Sequence, residues 1–251
     1  MKKLLKIILA HLGVVAFKRS SGIYIPEGES YRIAAGLCGK VAPLIIDGGA
    51  HRGDSVFAFS KHAPEARFHC FEPDPELVQH LKQEFAGNSR IHVVSAALGE
   101  APTNATLNIN ASRPTNSLLP TANSLPADIS GLCQTVEQVC VDVVSVDSYC
   151  AQYEIGKVDI IKLDLQGYDY KALLGARETL KRVDVVLTEV WFAEIYTGAK
   201  QFPDVLNLMR EYGFSLYTLC GMHYGGRDEL LWGDAIFTRI PACPDSVAAA
   251  S

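Results

Sequence analysis

The run Pro43-Leu44-Ile45-Ile46-Asp47-Gly48-Gly49-Ala50-His51-Arg52-Gly53-Asp54 constrains the fold of this 251-residue chain more than any other stretch. An apolar run ends in an acid, and a glycine-bearing turn then opens a helical pattern. A second apolar run, Arg67 to Phe71, ends in another acid, Glu72. Strand, tight turn, helix and a second strand ending in an acid form the layout of a nucleoside-binding α/β half. The turn lets backbone approach the ligand, and the second acid accepts hydrogen bonds from ribose hydroxyls. The glycine pattern is D-x-G-x-x-x-G and not the G-x-G-x-x-G of a dinucleotide site. An acid within the turn repels a pyrophosphate and suits a ligand with a cationic amino-acid portion. S-adenosylmethionine is such a ligand.

Further motifs follow in order: Phe71-Glu72-Pro73-Asp74-Pro75, Ala96-Ala97-Leu98-Gly99, Asn116-Ser117-Leu118, Val144-Ser145-Val146-Asp147, and DIIKLDLQGYDYKALLGA from Asp159 to Ala176. With the first loop, this ordered set resembles the FkbM-type S-adenosylmethionine-dependent methyltransferases. Their first loop reads D-x-G-A-N-x-G, and the later segments resemble F-E-P-x-P, A-L-G, S-L, T-L-D and D-x-x-K-x-D-x-x-G. Asp47, Gly49, Ala50 and Gly53 are in register, while His51 stands where Asn is usual. The resemblance spans Leu44 to Glu189. It implies an α/β fold with a doubly wound, mostly parallel seven-stranded sheet of the Rossmann-like class I methyltransferase type, its last strand antiparallel. It also implies S-adenosyl-L-methionine as methyl donor.

The chain suits one domain with a substantial core. The expected division is an N-terminal helical extension over 1–40, the methyltransferase domain over 41–240 and a tail over 241–251. A net charge of −5 argues against a nucleic-acid partner, because phosphate binding needs a basic surface. Seven scattered cysteines contain no C-x-x-C pair, so neither a metal site nor a disulfide framework is indicated. Cys70 and Cys220 lie in apolar runs and read as buried free thiols. A reducing, cytoplasmic compartment follows. The N-terminal MKKLLKIILAHLGVVAFKRS is interrupted by Lys6 and His11 and is too short to span a bilayer. It reads as an amphipathic helix packed on the domain or a partner, with weak peripheral membrane contact as the alternative.

Strands are expected at 43–47, 67–72, 91–95, 139–144, 158–163, 183–189, 214–220 and 233–239. Helices are expected at 53–62, 75–86, 145–153, 169–181 and 201–212, with short polar connections between. Asp74 is placed as the N-cap of the helix from Pro75. The interval 100–138 reads as a long functional or mobile loop with a short edge strand at Thr106–Ile109.

Asp47, Gly49, Ala50, Gly53, Glu72, Pro73, Ala96, Ser117 and Asp164 are expected to bind the cofactor. Ser95, Ala96 and Ala97 are small enough to leave room for the adenine, and Ser117 is placed near the cofactor by the resemblance. Asp164 is expected at the point where strand order reverses, with Lys162 as either a solvated strand residue or the buried partner of Asp164. The catalytic candidates are Asp164, Glu189 and His51, with His223 and Asp234 behind them. The expected reaction is methyl transfer to an oxygen, with nitrogen as the alternative, of a small metabolite or sugar. A non-catalytic cofactor-binding or partner-binding module and a nicotinamide-dependent oxidoreductase are the competing readings.

Overall fold

The computed structural model describes residues 25–239 apart from positions 27 and 126. The amphipathic segment expected over the first twenty positions and the tail over 241–251 lie outside the described residues. Helix α1 (Glu29–Cys38) leads into β1 (Leu44–Gly48), α2 (Asp54–Ser60), β2 (Arg67–Phe71), α3 (Pro75–Glu84) and β3 (Ile91–Val94). Next come β4 (Ala97–Leu98), β5 (Thr103–Asn110), a 3₁₀ turn (Arg113–Thr115), α4 (Ala127–Ser130), β6 (Thr135–Val144) and α5 (Val146–Gln152). The chain continues through β7 (Ile160–Leu163), α6 (Asp169–Leu174), α7 (Arg177–Leu180), β8 (Val185–Trp191), α8 (Phe202–Glu211), β9 (Ser215–Tyr224) and β10 (Leu230–Thr238).

Seven strands form one sheet in the order β3-β2-β1-β7-β8-β10-β9. The first five of these are parallel, and β10, last in the chain, runs antiparallel to both neighbours. Every residue of β1, β7 and β8 is buried, as expected of central parallel strands covered on both faces. Period-two alternation divides their side chains between the two layers. Ile46, Ile161 and Val186 pack on one side, and Ile45, Ile160 and Val185 on the other. Ala34 and Ala35 of α1 belong to the second layer, so α1 is part of the same core. Strand order reverses between β1 and β7, which opens a crevice beyond their carboxyl ends. Among the described residues, no helix is long and apolar enough to cross a membrane.

Three expectations are corrected. The strand expected at 139–144 is part of β6, which lies outside the main sheet in a three-stranded sheet of order β4-β6-β5. Its residues Thr135 to Cys140 are largely exposed, and burial alternates only near its end, the pattern of a sheet with one wet face. Strand β5 also runs longer than Thr106–Ile109, which shortens the expected loop. The helix expected over 169–181 is broken into α6 and α7 at Gly175. Backbone packs directly on backbone there, since a Cβ on Gly175 would stand 2.1 Å from the carbonyl oxygen of Gly99.

His69 on β2 illustrates a buried titratable group away from the crevice. Its Nδ1 lies 2.7 Å from the Tyr149 hydroxyl, and burial pushes its imidazole down to about 4. An unfolded histidine titrates near ~6.5, so the unfolded chain binds more protons in the window between. The resulting penalty is absent above about pH 6.5 and grows as pH falls towards 4. Glu72, raised in the fold, acts with the opposite sign, so the wild type alone does not isolate the effect. We expect the melting temperature of His69→Asn to fall less between pH 7 and pH 5 than that of the wild type. Parallel curves would remove His69 as an acid-sensitive element.

Candidate active site

The crevice holds a cavity of about 290 Å³. Its floor is the first loop. Gly49 and Ala50 donate from their backbone N–H groups to the carbonyl of Phe71, at 3.0 and 3.1 Å, folding the loop over the end of β2. Gly49 has φ +72°, and a Cβ there would lie 2.0 Å from the Asp164 carbonyl oxygen. Only glycine lets β1 and β7 meet this closely. His51 also adopts a left-handed backbone, φ 49°, a conformation open mainly to Asn, Asp and His among residues with side chains. That explains how His substitutes for the usual Asn. His51 lines the cavity, and among the described residues its Nε2, closed off from solvent, has no hydrogen-bond partner. Burial, reinforced by Arg52, lowers its pKa and keeps the imidazole neutral near pH 7.

Glu72 is 5 % exposed and lines the cavity. Oε2 accepts from the His51 N–H at 2.9 Å and Oε1 from the Asp74 N–H at 3.0 Å. Each oxygen therefore keeps acceptor capacity for one further donor. Burial raises the carboxyl to about 7 despite both backbone donors. Asp74 caps α3, accepting from the Glu76 N–H at 2.9 Å, as the order E-P-D-P requires.

Asp47 sits elsewhere than expected. It is wholly buried, accepts from the Ser55 hydroxyl and pairs with Lys162 Nζ at 3.0 Å, and it does not line the cavity. Asp47 and Lys162 are register partners on adjacent parallel strands, which puts their side chains on one face. Lys162 donates further to the carbonyls of Gly49 and Gly48 at 2.9 and 3.3 Å. The bonded partner of Lys162 is thus Asp47, while Asp164 acts on it only through charge. The ion pair braces the first loop from below.

Asp164, exposed, stands just beyond β7 and lines the cavity. Gln166, two residues on, donates from Nε2 to Asp164 Oδ1 at 2.7 Å and to Glu189 Oε2 at 3.1 Å. Glu189 is buried on β8 behind Gln166 and is outside the cavity lining. Burial, then the charges of Asp164, Asp169 and Asp234, raise its pKa well above the carboxylate range. Asp234 is its register partner on β10, and His223 stacks on Trp232 with centroids 4.7 Å apart. Neither Asp234 nor His223 lines the cavity.

The segment after β5 forms the roof. Arg113 pairs with Asp74 and Glu76 at the start of α3, and Asn116 donates to Asp74 Oδ2 at 3.0 Å. Ser117, buried, donates to the Gln166 carbonyl at 2.7 Å and accepts from the Leu119 N–H at 3.0 Å. Ala50, Pro73 and Ser117, expected to bind the cofactor, line the cavity. Gly53 and Ala96 do not. Gly53 packs under Phe85 at the start of α2, and the chain bends after Val94 so that Ala97 and Leu98 face the cavity instead of Ser95 and Ala96. Sequence reasoning missed Tyr31, which α1 carries into the lining, and Arg113, Gln166 and Tyr196, which act over long sequence distances. The Gln166-Gly167 turn was the one available signal. Among the described residues, no group of three His, Cys, Asp or Glu has the geometry to hold a metal ion.

The model of the methyltransferase FkbM domain matches residues 47–216. The 2-O-methyltransferase NoeI of Sinorhizobium fredii is 23% identical over 192 residues, covering 71% of this chain and 76% of that protein. An rRNA methylase from Streptococcus thermophilus aligns at a TM-score of 0.48 with 9% identity, over 87% of this chain and 98% of its own. The magnesium protoporphyrin IX methyltransferase of Synechocystis PCC 6803, solved with bound S-adenosylmethionine, aligns at 0.44 with 10% identity, over 94% and 96%. Since the family model spans more than half of its length, this chain belongs to the FkbM methyltransferase domain family.

Proposed function

We propose that this methyltransferase uses S-adenosyl-L-methionine to methylate a hydroxyl oxygen of a small metabolite or sugar. The observation that carries the reading is Glu72, a buried carboxylate facing the cavity with one free acceptor position on each oxygen. That pair of positions suits a ribose diol. Leu77, Ala97, Leu98 and Leu118 supply an apolar slot suited to adenine. On the far side Asp164 is open to receive the methionine ammonium. Asp47 is not, since Lys162 already neutralises it. When bound, S-adenosylmethionine supplies an electrophilic methyl group on a sulfonium. The residues around it contribute positioning and the exclusion of water. His51 contributes a neutral ring to the first loop; its Nε2, buried and without a partner among the described residues, is not open to the cavity for proton transfer. Glu189 acts at one remove, through Gln166.

Beside the cavity, burial raises the Tyr31 phenol, and among the charges it feels Lys162 comes first, ahead of Asp164, Asp47 and Asp234. The 2-O-methyltransferase name of the relative agrees with oxygen as acceptor atom. The described cysteines are all free thiols, which supports a reducing, cytoplasmic setting. The test is label transfer from methyl-labelled S-adenosylmethionine to a panel of neutral sugars, polyols, amines and sugar phosphates. We expect label in the neutral hydroxyl compounds and roughly tenfold or greater loss of cofactor affinity in Asp164→Asn, from one charge-assisted contact. Label confined to amines or anionic acceptors would overturn the oxygen assignment, and wild-type affinity in Asp164→Asn would remove the ammonium contact.

A further inference from the structure

Gln166 uses nearly every polar atom it has. Its backbone carbonyl accepts from Ser117 Oγ at 2.7 Å, and its Oε1 accepts from the Tyr196 hydroxyl at 2.8 Å. Its Nε2 donates one hydrogen towards Asp164 and one towards Glu189. The carboxamide turns its NH₂ to the two acids and its Oε1 to the Tyr196 hydroxyl, whose one hydrogen is shared between Oε1 and the Thr115 carbonyl. The residue is also held at φ 51°, followed by Gly167 at φ +91°. A side-chain-bearing residue in the left-handed region persists only where its surroundings over-determine it.

Tyr196 itself is 1 % exposed and rests edge-on against Trp191, with centroids 5.3 Å apart. It also lies 2.9 Å from the Thr115 carbonyl in the roof. Four separate pieces of the fold therefore converge on one amide: the roof, the end of β7, β8 and the segment after β8. Asp164, the residue this arrangement fixes, is exposed at the cavity wall. Ordering an exposed carboxylate adds little to stability and carries an entropic cost. The arrangement is better explained by what Asp164 must meet.

We propose that Gln166, oriented by Tyr196 and backed by Glu189, is the positioning residue that holds the Asp164 carboxylate in place for the cofactor. Glu189 supplies a buried second acceptor that stops the amide from turning away. Burial, then the charges of Asp164 and Asp169, favour the protonated form of Glu189, which eases repulsion between the two acids that the amide bridges. The inference rests on the proposed reading in which Asp164 meets the methionine ammonium.

The test is calorimetric titration of S-adenosylhomocysteine into the wild type, Gln166→Glu and Tyr196→Phe between pH 5.5 and pH 8. Each variant is compared with the wild type at the same pH. Replacing the amide by a carboxyl keeps its size but removes both donors once it ionises. Asp164, Glu189, Asp169, Asp234, Lys162 and Tyr196 face that position from β7, α6, β8, β10 and the segment after β8. The acids there favour its protonated form, which restores one donor. We expect Gln166→Glu to bind at least tenfold more weakly than the wild type at pH 8 and within threefold at pH 5.5. Tyr196→Phe, which frees the amide, should lose at least threefold at every pH while the protein stays folded. Wild-type affinity in both variants, or a loss in Gln166→Glu that does not change with pH, overturns the positioning role. If Gln166→Glu does not fold, Tyr196→Phe decides alone. A wild type that binds no S-adenosylhomocysteine overturns the proposed function itself, a result that no variant defect can imitate.

Discussion

Lys162→Met is expected to destabilise the fold by about 3–5 kcal/mol, the range for removing one partner of a buried ion pair. Lys162 is 5 % exposed and Asp47 is fully buried, so the substitution leaves a carboxylate in the core without its cation. The carbonyls of Gly48 and Gly49 lose a donor at the same time. For a domain of this size the melting temperature should fall on the order of 10 °C. The double variant Asp47→Leu/Lys162→Met separates charge from packing, because apolar replacement of both partners is often close to neutral. It should recover most of the stability while still disturbing the first loop. Thermal unfolding of the three proteins checks this. A Lys162→Met protein within about 1 kcal/mol of the wild type would mean that Asp47 is not charged in the fold.

Glu72→Ala is expected to weaken S-adenosylhomocysteine binding by about 1.5–3 kcal/mol, or roughly ten- to 150-fold. The side chain removes two donors from solvent in the free protein and offers two acceptor positions to a diol. Only the ionised form accepts both, and burial holds the carboxyl at about 7. Binding then favours loss of a proton. Wild-type affinity should rise as pH increases from 6 to 8, and Glu72→Ala should lose that slope. Unchanged affinity in a folded Glu72→Ala protein would sink the ribose assignment.

What was legible in the chain was local. The glycine turn of the first loop, Glu72 at the end of β2 and the Asp74 cap all lie within a short span and act on near neighbours. Their roles follow from turn geometry and capping. The β1 and β7 runs were legible because parallel strands buried on both faces are apolar throughout. What was hidden depends on distant partners. Residues 139–144 read as a strand, but nothing within them says that β6 pairs with Thr103–Asn110 and not with the main sheet. The break after Leu174 is set by Gly99, far upstream. Lys162 read as a solvated strand residue or a partner of Asp164, because the register of β1 against β7, which brings Asp47 to it, is a tertiary fact. Ala96 and Ala97 exchange roles through one bend, since a shift of one residue reverses which side chain faces the ligand. Tyr196 and Tyr31 carried no periodic or spacing signal for the site, and Gln166 only that of the turn it opens with Gly167.

The central claim is that the crevice between β1 and β7 is a site for S-adenosylmethionine and not for a dinucleotide. The most direct test is calorimetric titration of the wild-type chain with S-adenosylmethionine, repeated in the presence of excess S-adenosylhomocysteine and of a nicotinamide dinucleotide. The account predicts saturable binding at one site per chain, abolished by S-adenosylhomocysteine and untouched by the dinucleotide. No saturable heat with folded protein, or competition by the dinucleotide, would contradict it.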